Sequence, residues 1–123
     1  MGVKIKGVVI PGFNRGAGYV RAYRDKFKDK LGFEPFEGTL NIKLEEGDME
    51  KVKQKISVNI GGFERDGREF GGGGCVPVRV EGIDCCAILP EKSRHKDVVE
   101  IIHPFNLSEK LGLRNGDMVE INL

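Results

Sequence analysis

Short runs of alternating apolar residues, each cut off by glycine, constrain this chain more than any other feature. Leu40, Ile42 and Leu44 fall on one side of an extended segment, with Thr39, Asn41 and Lys43 on the other. Val76, Val78 and Val80 repeat the pattern, Glu81-Gly82 turns the chain, and residues 83–89 return as a partner strand. Residues 3–10, 98–102 and 118–123 read the same way. Residues 56–63 and 68–70 read as two strands around the hairpin signal Asp66-Gly67. Four consecutive glycines, Gly71 to Gly74, then break the pattern. Six to eight short strands with turn signals between them predict a closed β-barrel, because closure removes the unpaired edges. The 18 glycines in 123 residues agree with a turn-rich β architecture.

Helical spacing is confined to a few places. Tyr19, Tyr23, Phe27 and Leu31 recur every four residues with charges between them, and Gly32 stands where a helix stops. Residues 48–55 predict a short helix capped by Asp48 or its neighbour, and residues 106–111 a second one ending at Gly112. No linker or composition shift divides the chain, so residues 1–123 are expected to form one domain.

Charge and cysteine content narrow the setting. Twenty Lys and Arg nearly cancel 19 Asp and Glu, which argues against a dedicated nucleic-acid or membrane-surface binder. No apolar run approaches membrane-spanning length, and the N-terminus lacks the uninterrupted apolar stretch of a signal peptide. Cys75, Cys85 and Cys86 are odd in number and lack Cys-x-x-Cys spacing; they read as small core residues of a protein in the reducing cytoplasm.

Four places carry residues suited to chemistry. The segment Gly12-Phe13-Asn14-Arg15-Gly16-Ala17-Gly18 joins a strand to a helix and matches neither the P-loop nor the dinucleotide fingerprint. It is either a flexible connection or a loop whose backbone N–H groups cradle an anion. Thr39 and Asn41, two apart on a strand, present a hydroxyl and an amide to one side about 6–7 Å apart. They are either its wet face or the few protein ligands that a phosphate-bound magnesium ion takes. Residues 91–96 form either a solvated loop or a basic lid over phosphate. Glu100 interrupts the apolar run of residues 98–102, where a carboxylate is costly unless it faces solvent or a polar ligand.

Taken together these segments resemble the archaeal-type CTP-dependent riboflavin kinases. The resemblance rests first on Leu31-Gly32-Phe33-Glu34-Pro35-Phe36-Glu37-Gly38-Thr39-Leu40-Asn41-Ile42-Lys43-Leu44. Phe70-Gly71-Gly72, Cys75-Val76-Pro77, Lys92-Ser93-Arg94-His95 and the run from Glu100 to Leu107 extend it in order along nearly the whole chain. It implies a six-stranded cradle-loop barrel, mainly β, with one main helix and short helical turns. It also implies an enzyme that moves phosphate from CTP to riboflavin with Mg2+; the chain is expected to be a cytoplasmic monomer. On this resemblance Thr39 and Asn41 are the magnesium ligands. Gly12, Phe13, Asn14, Arg15, Gly16, Ala17 and Gly18 wrap the triphosphate. Phe105, Asn106, Leu107 and Ser108 hold the cytosine, and Ser93 and Glu100 contact the flavin. Glu100 is the one residue named as a candidate general base.

The chain departs from the family pattern in places. Phe13-Asn14-Arg15 lengthens the first glycine loop, Ser93 stands for Thr, and Ser108 stands for Arg. Gly73-Gly74 replaces an apolar-basic pair and is expected to loosen its loop. Relatives with an N-terminal DNA-binding domain exist, whereas this chain is expected to have none. The rival readings are a non-catalytic flavin- or nucleotide-binding barrel, a DNA-binding barrel regulator, and a kinase with another nucleotide donor.

Overall fold

The computed structural model describes residues 2–11, 16–65, 67–90 and 97–123. Six antiparallel strands close into a barrel. β1 (Lys4–Ile10) lies between β2 (Leu40–Leu44) and β9 (Met118–Asn122). From β2 the order runs through β8 (Val98–Ile102) and β7 (Ile83–Pro90) to β6 (Gly73–Val80). The pairs Arg79–Asn122 and Val80–Ile121 then join β6 to β9 and shut the ring. β3 (Val58–Ile60) adds to the opposite end of β6, and β4 (Phe63–Arg65) with β5 (Arg68–Phe70) forms a separate hairpin. The expected six-stranded, mainly β barrel is therefore present, with three strands outside the ring among the described residues.

Alternation sorts the strand residues into two cores. Ile42, Val76, Val80, Ala87, Val99, Ile101, Val119 and Ile121 belong to the larger buried cluster, the filled lumen. Gly7 belongs to this side of β1: a Cβ there would stand 2.3 Å from Ile42 Cγ2 and 2.9 Å from the Lys43 carbonyl oxygen. Only a residue without a side chain lets β1 and β2 approach this closely.

The second cluster lies on the outer surface of β6, β7 and β8, where α1 (Gly16–Leu31) packs. Tyr23 and Phe27, one turn apart, bury against Ile88, Ile102 and Cys86. Each such ring contributes about 1.5–3 kcal/mol by leaving water. The Tyr23 hydroxyl donates to the Gly71 carbonyl, and Phe63 of the hairpin packs edge-on against the Tyr23 ring, centroids 4.9 Å apart. Gly32, at φ +80°, ends the helix as its sequence position predicts. All three cysteines are free and buried on strands.

Several boundaries differ from expectation for physical reasons. The helix begins at Gly16, so Gly16, Ala17 and Gly18 form its first turn instead of a loop. Residues 56–63 are not one strand: Gly61 and Gly62 separate β3 from β4. Gly73 and Gly74 are not loop residues. Both are buried in β6 and paired on both sides, Gly73 with Ile60 and Pro90, Gly74 with Asn59 and Leu89. Pairing with two neighbours fixes backbone that composition alone marks as loose. α2 (Asp48–Lys53) carries Met49 and Val52 into the core, and its cap position is Gly47, without a side-chain cap bond.

Candidate functional site

The site is assembled on β2 and β8. Strand register places Asn41 directly opposite Glu100, with Ile10 on the other side of Asn41 and Ile88 on the other side of Glu100. Residues directly opposite in an antiparallel pair share a face. Asn41 and Glu100 therefore sit together on the outer surface of the barrel, beside the apolar strip that α1 covers. Asn41 is only 3% exposed, so it is not on a wet face. Its Nδ2 donates to the Thr39 hydroxyl and to the Thr39 carbonyl, each at 3.2 Å. Its Oδ1 is buried with no hydrogen-bond partner among the described residues. A buried, unpaired amide oxygen is costly unless something else supplies the missing positive charge or proton.

Glu100 has its carboxyl pKa pushed up by burial. No described residue gives it an ion pair or hydrogen bond. Desolvation acts alone, and the carboxyl holds its proton to higher pH than an exposed glutamate.

Next to this pair lies a cavity of about 180 Å³. Thr39, Leu40 and Gly38 form one side, and Phe105, Asn106, Leu107 and Ser108 another, with Phe36, Ile101 and His103 completing it. Small-molecule sites commonly measure about 300–1,000 Å³, so this space suits one ring rather than a whole nucleotide. Its rim is aromatic: Phe105 is 65% exposed and Phe36 43%. The Lys110 ammonium lies 5.5 Å from the Phe105 ring centroid. Asn106 caps α3 (Leu107–Leu111), its Oδ1 accepting from the Glu109 N–H at 3.3 Å, and Gly112 at φ +64° ends the helix. The Phe36 N–H donates to the His103 carbonyl at 2.9 Å, tying the two walls together.

A charge cluster anchors the segment before Thr39. Arg24 and Arg21 of α1 both pair with Glu37, Arg21 through Nη2 at 3.2 Å, and Arg24 Nε lies 3.6 Å from Glu34. The helix that follows the glycine segment is thereby fastened to the chain leading into β2.

The sequence candidates thus fall into three groups. Thr39, Phe105, Asn106, Leu107 and Ser108 border one cavity, and Asn41 and Glu100 stand in register beside Thr39. Gly16, Ala17 and Gly18 lie in α1. Gly12, Phe13, Asn14, Arg15 and Ser93 lie outside the described residues. Sequence reasoning missed Phe36 and His103 as cavity walls. The available signal was their place within or beside the two family-like runs.

A neutral hydroxyl and an unpaired amide oxygen are a donor set that fits a hard divalent cation carried in with phosphate oxygens and water. Fold and site together define a closed antiparallel barrel with a small-ligand pocket at the rim and a polar pair beside it. A family model described as CTP-dep_RFKase, domain of unknown function DUF120, matches residues 9–123. The chain belongs to this CTP-dependent riboflavin kinase family. It is 40% identical to the riboflavin kinase of Methanosarcina mazei over 98% of its own length and 56% of that protein. It is 41% identical to that of Methanocella arvoryzae, over 97% and 56% of the two chains. With that of Archaeoglobus fulgidus it shares 35% identity, over 98% and 54%. The chain therefore spans little more than half the length of the curated relatives it matches. Among the described residues, no helix is long and apolar enough to cross a membrane.

Proposed function

We propose that this barrel transfers the γ-phosphate of CTP to riboflavin, giving FMN and CDP. The observation that carries the reading is the buried Asn41 Oδ1, unpaired among the described residues, on a side chain whose Nδ2 bonds the cavity-lining Thr39 and which stands in register with Glu100. The ribityl 5′-hydroxyl attacks the γ-phosphorus in line, the bond to the bridging oxygen of the β-phosphate breaks, and the hydroxyl proton leaves with solvent or a nearby base. Transfers of this kind need positioning and charge neutralisation more than covalent help.

Each residue has a task in this reading. Phe105, Asn106, Leu107 and Ser108 hold the cytosine in the cavity that they line. Thr39 Oγ1 and Asn41 Oδ1 hold magnesium, which supplies charge neutralisation for the phosphate oxygens when bound. The glycine segment, Gly12 to Gly18, offers backbone N–H groups to the phosphates where the chain enters α1. Ser93 and Glu100 bind the flavin. The raised pKa of Glu100 suits a hydrogen-bonding group that a ribityl hydroxyl meets without a full charge to desolvate. Three free, buried cysteines support a cytoplasmic setting.

The test is incubation with riboflavin, Mg2+ and each nucleoside triphosphate in turn, followed by chromatography for phosphorylated flavin. FMN formation with CTP above the other donors is expected. Riboflavin left unphosphorylated with every donor, by protein that melts cooperatively, would end the proposal. Thr39→Ala is expected to weaken the dependence of turnover on Mg2+, and a wild-type titration would remove the metal assignment.

A further inference from the structure

The run from Leu31 to Leu44 carries two carboxylates, Glu34 and Glu37, that the proposed reaction leaves without a task. Glu37 is the middle residue of a three-residue turn: the Gly38 N–H donates back to the Phe36 carbonyl at 2.8 Å, and Thr39 follows. The start of that turn is pinned just beyond β8, where the Phe36 N–H donates to the His103 carbonyl at 2.9 Å. Its tip is pinned to α1. Arg21 Nε and Nη2 both reach Glu37 Oε2, at 3.4 and 3.2 Å, while Arg24 Nη2 takes Oε1. The two arginines stand three residues apart on one face of the helix, so both hold a single carboxylate.

Stability does not explain this arrangement. The Arg21 side chain is 67% exposed and those of Arg24 and Glu37 35%, and ion pairs so open to water add little to a fold. Arg24 also leaves its Nε buried with no hydrogen bond among the described residues, 3.6 Å from Glu34 and out of bonding reach. What the pairs fix is position. Tyr23 and Phe27 hold the middle of α1 to the barrel, whereas Arg21 is the described side chain nearest its first turn, Gly16 to Gly18. Glu37 ties that end of the helix to the residue two before Thr39, through a turn too short to slacken.

We propose that Glu37 is a positioning residue: by gripping Arg21 and Arg24 it sets the first turn of α1 against Thr39, so that phosphate binding and Mg2+ binding reinforce one another. This rests on the reading above, which gives phosphate to that turn and the metal to Thr39 and Asn41, and adds the link between them. Groups on separate elements act on one ligand together only when their separation is held, and a paired charge has the direction needed to hold it. The reinforcement is reciprocal: whatever factor Mg2+ adds to nucleotide affinity, the nucleotide adds to that of Mg2+.

Calorimetric titration of CDP, in Mg2+ and in EDTA, tests the link with wild-type protein, Glu37→Gln, Arg24→Met and the double variant. Mg2+ is expected to tighten CDP binding to wild-type protein by at least about tenfold, a common size for such coupling. In Glu37→Gln the affinity in EDTA should stay within about twofold of wild type, while the gain from Mg2+ falls about tenfold, the worth of a bond to a charged group. Arg24→Met should lose part of the gain, since Arg21 still holds Glu37. The double variant should lose no more than Glu37→Gln alone, because both changes act through one pair. Equal weakening in Mg2+ and in EDTA, or a wild-type gain in the variants, overturns the proposal.

Should Glu37→Gln not fold, Arg21→Met, at the most exposed of the three side chains, is read by the same outcomes. Wild-type protein that binds no CDP, or binds it alike in both conditions, overturns the proposal as well. Riboflavin phosphorylation measured in parallel keeps the two claims apart. Protein whose gain from Mg2+ depends on Glu37 yet leaves riboflavin untouched sinks the kinase reading alone. Active protein whose variants keep the gain sinks this inference alone.

Discussion

The lumen of the barrel and the outer surface of its β2–β8 pair are made by the same strands, yet they use burial in opposite ways. Leu40, Ile42 and Leu44 fill the lumen with carbon, which asks for nothing but contact. Between them Asn41 is almost as deeply buried and keeps an oxygen without a partner among the described residues. Across the register Glu100 holds a carboxyl that burial has made harder to ionise. One face lowers the free energy of the fold, while the other carries polar groups that no described residue satisfies.

This contrast breaks most readily at Ile42. Ile42→Ala empties fully buried volume in the lumen and should cost about 2–5 kcal/mol. Chemical denaturation measures it, and a loss below about 1 kcal/mol would mean that the lumen is less tightly filled than the contrast requires. Asn41→Ala should do the reverse. Riboflavin phosphorylation should fall about 100-fold or more, the equivalent of about 2.7 kcal/mol in the transition state. The melting temperature should change little, since the loss of two bonds to Thr39 is offset by removal of a buried oxygen unpaired among the described residues. Coupled losses of activity and stability would show that Asn41 is structural.

Gly7→Ala sharpens the lumen side by overfilling it. The new methyl meets Ile42 and the Lys43 carbonyl oxygen, a cost of about 1–3 kcal/mol, because backbone cannot give way as a side-chain end can. Glu100→Gln has the smallest effect on stability and a defined pH signature. A carboxyl whose pKa is raised on folding binds more protons native than unfolded. Stability therefore falls as pH rises from the ordinary glutamate value through the raised one. The penalty is absent below that window and complete above it. The Gln variant should lose this slope, as urea midpoints measured across the acidic range would reveal, and an unchanged slope would assign it to another group.

Much of the barrel was legible because period-two alternation and glycine turns are local signals. Val76, Val78 and Val80 enter the lumen as their spacing predicts. Glu81-Gly82 turns with both residues at positive φ, as a tight hairpin demands. What escaped was set by distant partners. Gly73 and Gly74 have no side chains to alternate, and only pairing with β3 and β7 makes them strand. Gly16 to Gly18 look like loop by composition, yet they are the first turn of a helix held elsewhere by Tyr23 and Phe27. Thr39 and Asn41 could be picked out by spacing, but the burial of Asn41 depends on elements that spacing does not bring together.

The seam of the barrel has a kinetic consequence. β9 is clasped by β1 through five residue pairs and by β6 through two, and the Leu123 N–H donates to the Val3 carbonyl at 2.8 Å. The ring therefore cannot close until segments more than a hundred residues apart in the chain have met. During synthesis β1 must wait with one edge bare until β9 has been made, so the ring closes only after its other strands are in place.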